Sequence, residues 1–320
     1  MKDFIKKVEN KIMSGQSIVF EEAVQLSETE NIEQLFTAAN RIREKFKGNK
    51  VDLCTIMNAK SGKCSENCKY CAQSAHYHTG VQEYPLISVE EALERARENE
   101  KCGAHRFSLV TSGKSLSEED FEKVIEIYKV LRKETGMKLC ASHGIISYEQ
   151  AVRLKNVGVT MYHHNIETSR EYFDKICDTH SYQDRINTIK NVMAAGLDIC
   201  CGGIIGMGES MEDRIKMAFE IKELGIKSIP VNVLNPIKGT PMENIEPLSP
   251  EEILKIMSLF RFIIPDGFIR YAGGRNALGE LQNLGFKAGV NAALVGNYLT
   301  TVGNSISQDI EMIQKEGLEV

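Results

Sequence analysis

Two rhythms alternate along most of this chain. From residue 51 onward, short apolar runs recur, each followed by a stretch whose apolar residues return every three or four positions. The runs are Val51–Met57, His105–Val110, Lys138–Ala141, Val159–His163, Asp198–Gly202, Ser228–Leu234, Phe268–Ala272 and Val290–Val295. The intervening stretches read as amphipathic helices at Ser117–Glu134, Ser147–Asn156, Ser181–Ala195, Met211–Leu224 and Pro250–Phe262. Another opens at Ser88, where Glu91 completes a capping box. Strand–helix units in such a series predict a parallel (β/α)8 TIM barrel, with an open doubly wound sheet as the alternative. Asn235–Pro250 is rich in Pro and Gly and predicts a loop within the barrel. The first residues behave differently. Ile32, Leu35, Phe36 and Ile42 fall near helical spacing and Gly48 is a stop signal. The chain therefore predicts an N-terminal helical extension over residues 1–48 and a barrel with a C-terminal tail over 49–320.

Composition narrows the class. Hydrophobic residues are 42% and charged residues 26%, as in ordinary globular proteins. The net charge of -5 argues against nucleic acid as a partner. No apolar run reaches the ~18 residues needed to span a bilayer. The N-terminus lacks the apolar core of a signal peptide, so the expected location is the cytoplasm. In that reducing compartment, 9 cysteines, an odd number, point to metal binding or thiol chemistry rather than disulfides.

Three of them form Cys64-Ser-Glu-Asn-Cys68-Lys-Tyr-Cys71, just past the first predicted strand. In a barrel that is the face where chemistry occurs. Three thiolates on one loop can hold three corners of a four-iron cube and leave the fourth iron open to a small molecule. The competing reading is a zinc site completed by His76 or His78. His163 and His164 are neighbours on a strand and face opposite ways, so they cannot both ligate. A hydrogen-bonded structural role is expected for them, while His105 and His180 carry no readable signal.

The CxxxCxxC spacing, with Tyr70 before its last cysteine, resembles the signature of the radical S-adenosylmethionine (SAM) superfamily. From about residue 40 onward the chain resembles the biotin synthase family within it. The cluster loop runs from Gly62 through Cys71 to Ser74. The segment Tyr162–Thr168 is similar to the family's YNHNLDT, and Ser181–Arg185 to its TYQER. The glycine turn Gly202–Glu209, the pairing of Val231-Asn232 with Lys238–Pro241, Arg270–Arg275 and Leu299–Thr301 follow in order. Each motif is weak alone, but the ordered set is specific.

The resemblance implies a [4Fe-4S] cluster on Cys64, Cys68 and Cys71, with SAM on its open iron. SAM cleavage then gives a 5′-deoxyadenosyl radical that takes hydrogen from dethiobiotin. It assigns SAM contacts to Tyr70, Glu167, Arg185, Gly206 and Gly208, and substrate contacts to Asn165 and Asn232. A carboxamide suits a cyclic urea because it both donates and accepts. Without the resemblance, Glu167 and Arg185 read as an exposed ion pair. The glycine turn lacks the GxGxxG spacing of a dinucleotide loop. A one-electron donor (flavodoxin or ferredoxin) and a homodimer are also implied.

The family's auxiliary iron–sulfur cluster uses three Cys and one Arg. Cys140, Cys200 and Arg270 match, but the remaining cysteine falls on Ser108, a poor replacement for a thiolate. Cys54 offers a substitute. Alternate strands of a barrel contribute to one layer, and Cys54, Cys140, Cys200 and Arg270 lie on the first, third, fifth and seventh. Three thiolates allow a four-iron cluster with an open iron carrying an extra sulfide. A rearranged [2Fe-2S] cluster competes, and a Cys54 merely packed in the core is the plainest alternative. Cys201 should point outward, and Cys102 and Cys177 should be structural core residues. Two other functions stay open: a related radical SAM maturase or mutase without sulfur insertion, and a non-catalytic zinc scaffold.

Overall fold

The structure, a computed structural model, describes residues 2–296, 299 and 303–320. Nine parallel strands are β1 (Asp52–Lys60), β2 (Arg106–Thr111), β3 (Lys138–Ser142), β4 (Val159–His163), β5 (Asp198–Cys200), β6 (Gly203–Ile205), β7 (Ser228–Val233), β8 (Phe268–Tyr271) and β9 (Ala292–Leu294). They run in the order β5-β4-β3-β2-β1-β9-β8-β7-β6. The pairing of Cys200 with Ser228 joins β5 to β7 and closes the barrel. The open-sheet alternative is therefore excluded.

Nine strands fill eight positions because the fifth is broken. Asp198–Gly202 was expected as one run, but β5 stops at Cys200 and β6 resumes at Gly203. Gly202 lies hard against β7: a Cβ there would sit 1.8 Å from the Pro230 carbonyl oxygen. The chain turns at this point, and the Gly202 carbonyl accepts from the amides of Ile166 and Glu167. That contact ties the break to the loop after β4.

Helices follow the strands as the spacing predicts; those expected from Ser117, Ser147 and Ser181 start one residue later, and those expected at Met211 and Pro250 start there. Ser88, Ser117, Ser147, Ser181, Ser210 and Ser249 are all extended N-caps whose hydroxyls accept an amide of the first turn. Asn235 to Ser249 is irregular, as expected. Before the barrel come helices Lys2–Met13, Phe20–Ser27 and Ile32–Lys47, the last packing on Pro250–Ile263. Arg261 is fully buried there and donates to the carbonyls of Gly289, Pro265 and Gly267.

The C-terminal tail contains a helix the spacing did not announce, Ile306–Lys315. A buried Arg275–Asp309 ion pair fixes it. Beyond it, Glu319 exchanges backbone hydrogen bonds with Asn49 and Val51 and so braces the start of β1. No helix among the described residues is long and apolar enough to cross a membrane.

Candidate iron–sulfur and substrate site

The loop after β1 is closed by its own backbone. The Cys64 amide donates to Gln73, and the Ala75 amide returns to Cys64. At the tip the Cys71 amide donates 2.9 Å to the Cys68 carbonyl. Gly62 and Lys63 take positive φ to turn the chain out of the strand. The loop carries three free thiols just past the end of β1, of which Cys68 rather than the trio as a whole lies in a close ligand group among the described residues. Burial raises the Cys64 thiol and pushes Cys71 up to about 11. His76 is exposed and its Nε2 is bonded to the Ser65 carbonyl at 3.0 Å, so it is engaged away from the thiols.

Two residues beside this loop were missed from sequence. Cys177, expected as core, places its Sγ 3.6 Å from Cys68 Sγ. It also lies 3.3 Å from Nδ1 of His180, which in turn is 2.5 Å from Glu66 Oε2. A hydrogen bond from Cys68 and another from His180 draw Cys177 below the ordinary thiol range. No spacing rule links positions 66, 68, 177 and 180, because only the turn after β4 brings the second pair over the first. Cys102, also expected as core, is exposed.

A cavity opens beside these thiols, lined by Cys64, Cys68, His163, Asn165, Glu167 and Arg185 among others. Glu167 holds a positive φ of 70°, unusual for a side chain this size. Its carboxylate lies 3.4 Å from Arg185 and accepts from Asn165 Nδ2 at 3.3 Å. The Glu167–Arg185 pair thus forms, but buried rather than exposed. Arg185 also donates to the Asn165 carbonyl, while its Nε has no partner among the described residues. Tyr70 and Asn232 line an adjoining, more apolar cavity with Ile56, Ile204 and Leu294. Each asparagine is partly committed. Asn165 Oδ1 accepts from Gly202, and Asn232 bridges the Gly203 carbonyl and the Gly273 amide. A carboxamide has two donors and two lone pairs, so both retain capacity for a ligand.

Gly206 and Gly208 line neither cavity. Both have positive φ, and the amides of Gly206 and Met207 are taken by the Glu209 carboxylate. Glu209 is paired in turn with Arg214. The Gly206 and Met207 amides of the turn are thereby occupied.

Deeper in the barrel, register sets a second group. Parallel neighbours face the same way, and Cys54 pairs with Arg106, Cys140 with Ser108 and Met161, and Cys200 with His163 and Ser228. All three thiols are buried. Cys140, Cys200 and Met161 pack as a small cluster separate from the main core, while Cys201 joins that main core. Cys200 thus points in and Cys201 out. Ser228 donates to Cys200 Sγ at 3.1 Å. The Cys54 thiol is raised by its contact with Cys140 and by burial, and burial lifts Cys200 to about 11.

Below the thiols lies a charged floor. Arg270 Nη2 meets Asp52 at 2.5 Å, and its Nη1 donates to the Asp52 and Ala293 carbonyls. Arg106 approaches both Asp52 oxygens at 3.3 Å. Burial would raise Asp52, but the two guanidinium groups hold it below the usual carboxylate range. Two cations against one anion leave the floor net positive, which favours anions above it.

The radical SAM superfamily matches residues 59–221, just over half of the chain. The biotin and thiamin synthesis associated domain matches residues 230–319. A biotin synthase of Acetivibrio thermocellus is 67% identical over 319 residues, 99% of this chain and 100% of that protein. One from Clostridium tetani is 57% identical over 100% of this chain and 99% of its own. The chain belongs to the biotin synthase family. Among solved structures, methylornithine synthase shares the fold at a TM-score of 0.85 and 21% identity, covering 98% of this chain and 96% of that one. An [FeFe]-hydrogenase maturase does so at 0.85 and 17%, covering 99% and 75%.

A radical SAM enzyme of biotin synthesis implies SAM and iron–sulfur clusters, and the residues fit them. Thiol ligands must lose their protons to bind metal. The Cys140 contact and burial hold the Cys54 thiol protonated and burial does the same at Cys200, while the Arg270 charge beneath them works the other way and favours the thiolate that metal requires. Buried polar atoms without partners among the described residues ring the same space: Ser108 Oγ, His163 Nε2 and Arg270 Nε. His164 Nε2 is also unpartnered, so the expected hydrogen-bonded role of these histidine rings is not met at Nε2. Thr300 and Thr301 of the family's last motif lie outside the described residues.

Proposed function

We propose that this enzyme inserts sulfur into dethiobiotin, with one cluster on Cys64, Cys68 and Cys71 and a second held by Cys54, Cys140 and Cys200. The observation that carries the reading is the packing of Cys54 against Cys140 and of Cys140 with Cys200, beside a His163 that also borders the cavity of Cys64 and Cys68. When bound, SAM and its cluster supply the hydrogen-abstracting radical, and the second cluster supplies sulfide. The chain's own residues hold the reactants. Arg185 offers its free Nε to the SAM carboxylate. Glu167 accepts from ribose hydroxyls, and Tyr70 covers the loop tip from the adjoining cavity. The spare donors and acceptors of Asn165 and Asn232 take the ureido ring between them. Ile56, Ile204 and Leu294 give the rest of that space an apolar wall that excludes water.

Cys54 stands in for the thiol that Ser108 cannot supply, and Arg270 contributes charge from the floor. Three thiolates leave one cluster position without a thiol, in a four-iron cluster bearing an extra sulfide or in a rearranged two-iron one. The family likeness further supports a one-electron donor such as flavodoxin or ferredoxin, a cytoplasmic homodimer, and residues 1–48 as an extension on the barrel.

Reconstitution with 34S-sulfide tests the reading. With SAM, reductant and dethiobiotin, the wild type should place 34S in biotin. Cys140→Ala should still release 5′-deoxyadenosine but form no biotin. Deoxyadenosine without biotin from the wild type would instead favour the maturase-like alternative.

A further inference from the structure

His163 stands where three interior strands meet. It ends β4, and the β4–β5 register sets it beside Cys200, facing the same way. A ring nitrogen of His163 and the Sγ atoms of Cys54 and Cys140 all lie within 4.8 Å of one another. The imidazole thus meets thiols from β1 and β3, and its register partner on β5 is Cys200. Its Nε2 is buried and has no hydrogen-bond partner among the described residues. Leaving such a group unsatisfied leaves its desolvation cost uncompensated, so an unpaired buried nitrogen calls for an occupant.

The other candidates for the remaining cluster position are less suited. Arg270 carries no lone pair while protonated, and its terminal nitrogens are bonded to Asp52 and Ala293. Drawing it upward would strip a buried carboxylate of its cation. Ser108 offers a hydroxyl, which must lose a far less acidic proton. Met161, packed on Cys140 and Cys200, offers only a weak thioether. A neutral imidazole brings a ready lone pair of the kind iron accepts beside thiolates.

We propose that His163 is the fourth protein ligand of the interior cluster, giving a Cys54, Cys140, Cys200 and His163 donor set. This inference rests on the interior cluster assigned above. His163 also borders the cavity with Asn165 and Glu167, so it joins the sulfur-donating group to the space where substrate binds. A protein nitrogen at that position competes with an extra sulfide for the same iron.

The test uses full-length enzyme reconstituted without oxygen and reduced in the absence of SAM, so that no SAM nitrogen touches the first cluster. Histidine labelled with 15N in its ring is incorporated, and nitrogen hyperfine coupling is read by pulsed electron paramagnetic resonance. A coupling that changes from 14N to 15N with the labelled histidine, and disappears in His163→Asn, is expected. His163→Cys should keep the wild-type iron content while losing that coupling and moving the interior cluster to lower potential. No histidine nitrogen in the wild-type spectrum, or one that survives His163→Asn, would overturn the proposal. So would a His163→Asn enzyme with unchanged iron and potential and only a raised KM for dethiobiotin, which would place the residue in the substrate site. Failure of the underlying reading looks different: iron content would then be unchanged by Cys140→Ala.

Discussion

His143 sits behind Cys140 and shows how one buried side chain sets both geometry and pH response. Tyr128 donates its proton to the Cys140 carbonyl at 2.8 Å, so its oxygen accepts from His143 Nε2 at 3.2 Å. Nδ1 is then the acceptor for the Thr111 hydroxyl at 3.1 Å. The neutral ring is fully satisfied, and burial lowers its pKa from 6.5 to about 3. Because the folded value is depressed, the stabilisation is complete above pH 6.5 and is lost as pH falls towards 3. Urea unfolding should show His143→Gln losing less stability than the parent between pH 7 and 5, by on the order of 2 kcal/mol. Equal acid losses in the two proteins would contradict this. At this scale, sequence legibility was uneven. Cys64, Cys68 and Cys71 were readable because one loop carries all three at fixed spacing. The meeting of Cys54 with Cys140 was readable because alternate strands share a barrel layer. His163 was not, since it comes from an even strand, whose inward residues fall between the layers that parity arguments count. The Cys177–His180–Glu66 group was unreadable because it depends on how two loops lie over each other.

Among the elements, the broken fifth strand does most to place the site. Gly202 lets β5 and β6 separate, and the carbonyl it exposes anchors the loop bearing Asn165 and Glu167. Gly203 is also tight, since a Cβ there would lie 2.3 Å from the Glu167 carbonyl oxygen. A methyl group at Gly202 would overlap the Pro230 carbonyl of β7, where backbone cannot yield cheaply. Gly202→Ala should therefore cost about 1–3 kcal/mol in denaturant unfolding and weaken SAM binding more than Ala substitution at an exposed helix position. Unchanged stability would show that the strand break is not held by this contact. The apolar run around this position was legible, but its interruption was not. Gly202 was read as the end of a strand run and the start of a glycine turn, whereas Gly202 and Gly203 let neighbouring backbone approach. Helix positions fared better, because each serine cap marks a local boundary that tertiary packing did not move.

At the scale of the whole molecule, the barrel stacks three zones along its axis. A thiol loop and a buried Glu167–Arg185 pair occupy the C-terminal rim. Three thiols and an unpaired imidazole lie in the middle, and an Arg106–Asp52–Arg270 floor closes the N-terminal end. The alternation of apolar runs and amphipathic helices was enough to predict the barrel. It could not reveal how the segment after the C-terminal helix braces β1, because the partners of Glu319, Asn49 and Val51, lie almost the whole chain away. The central claim is that the middle zone holds a second cluster, and metal content tests it most directly. Iron and acid-labile sulfide should be counted per chain, after reconstitution without oxygen, in the wild type and in a Cys54→Ala, Cys140→Ala, Cys200→Ala triple variant. The wild type should hold about six to eight irons and the triple variant about four. About four irons in the wild type, or the same count in both proteins, would contradict the account.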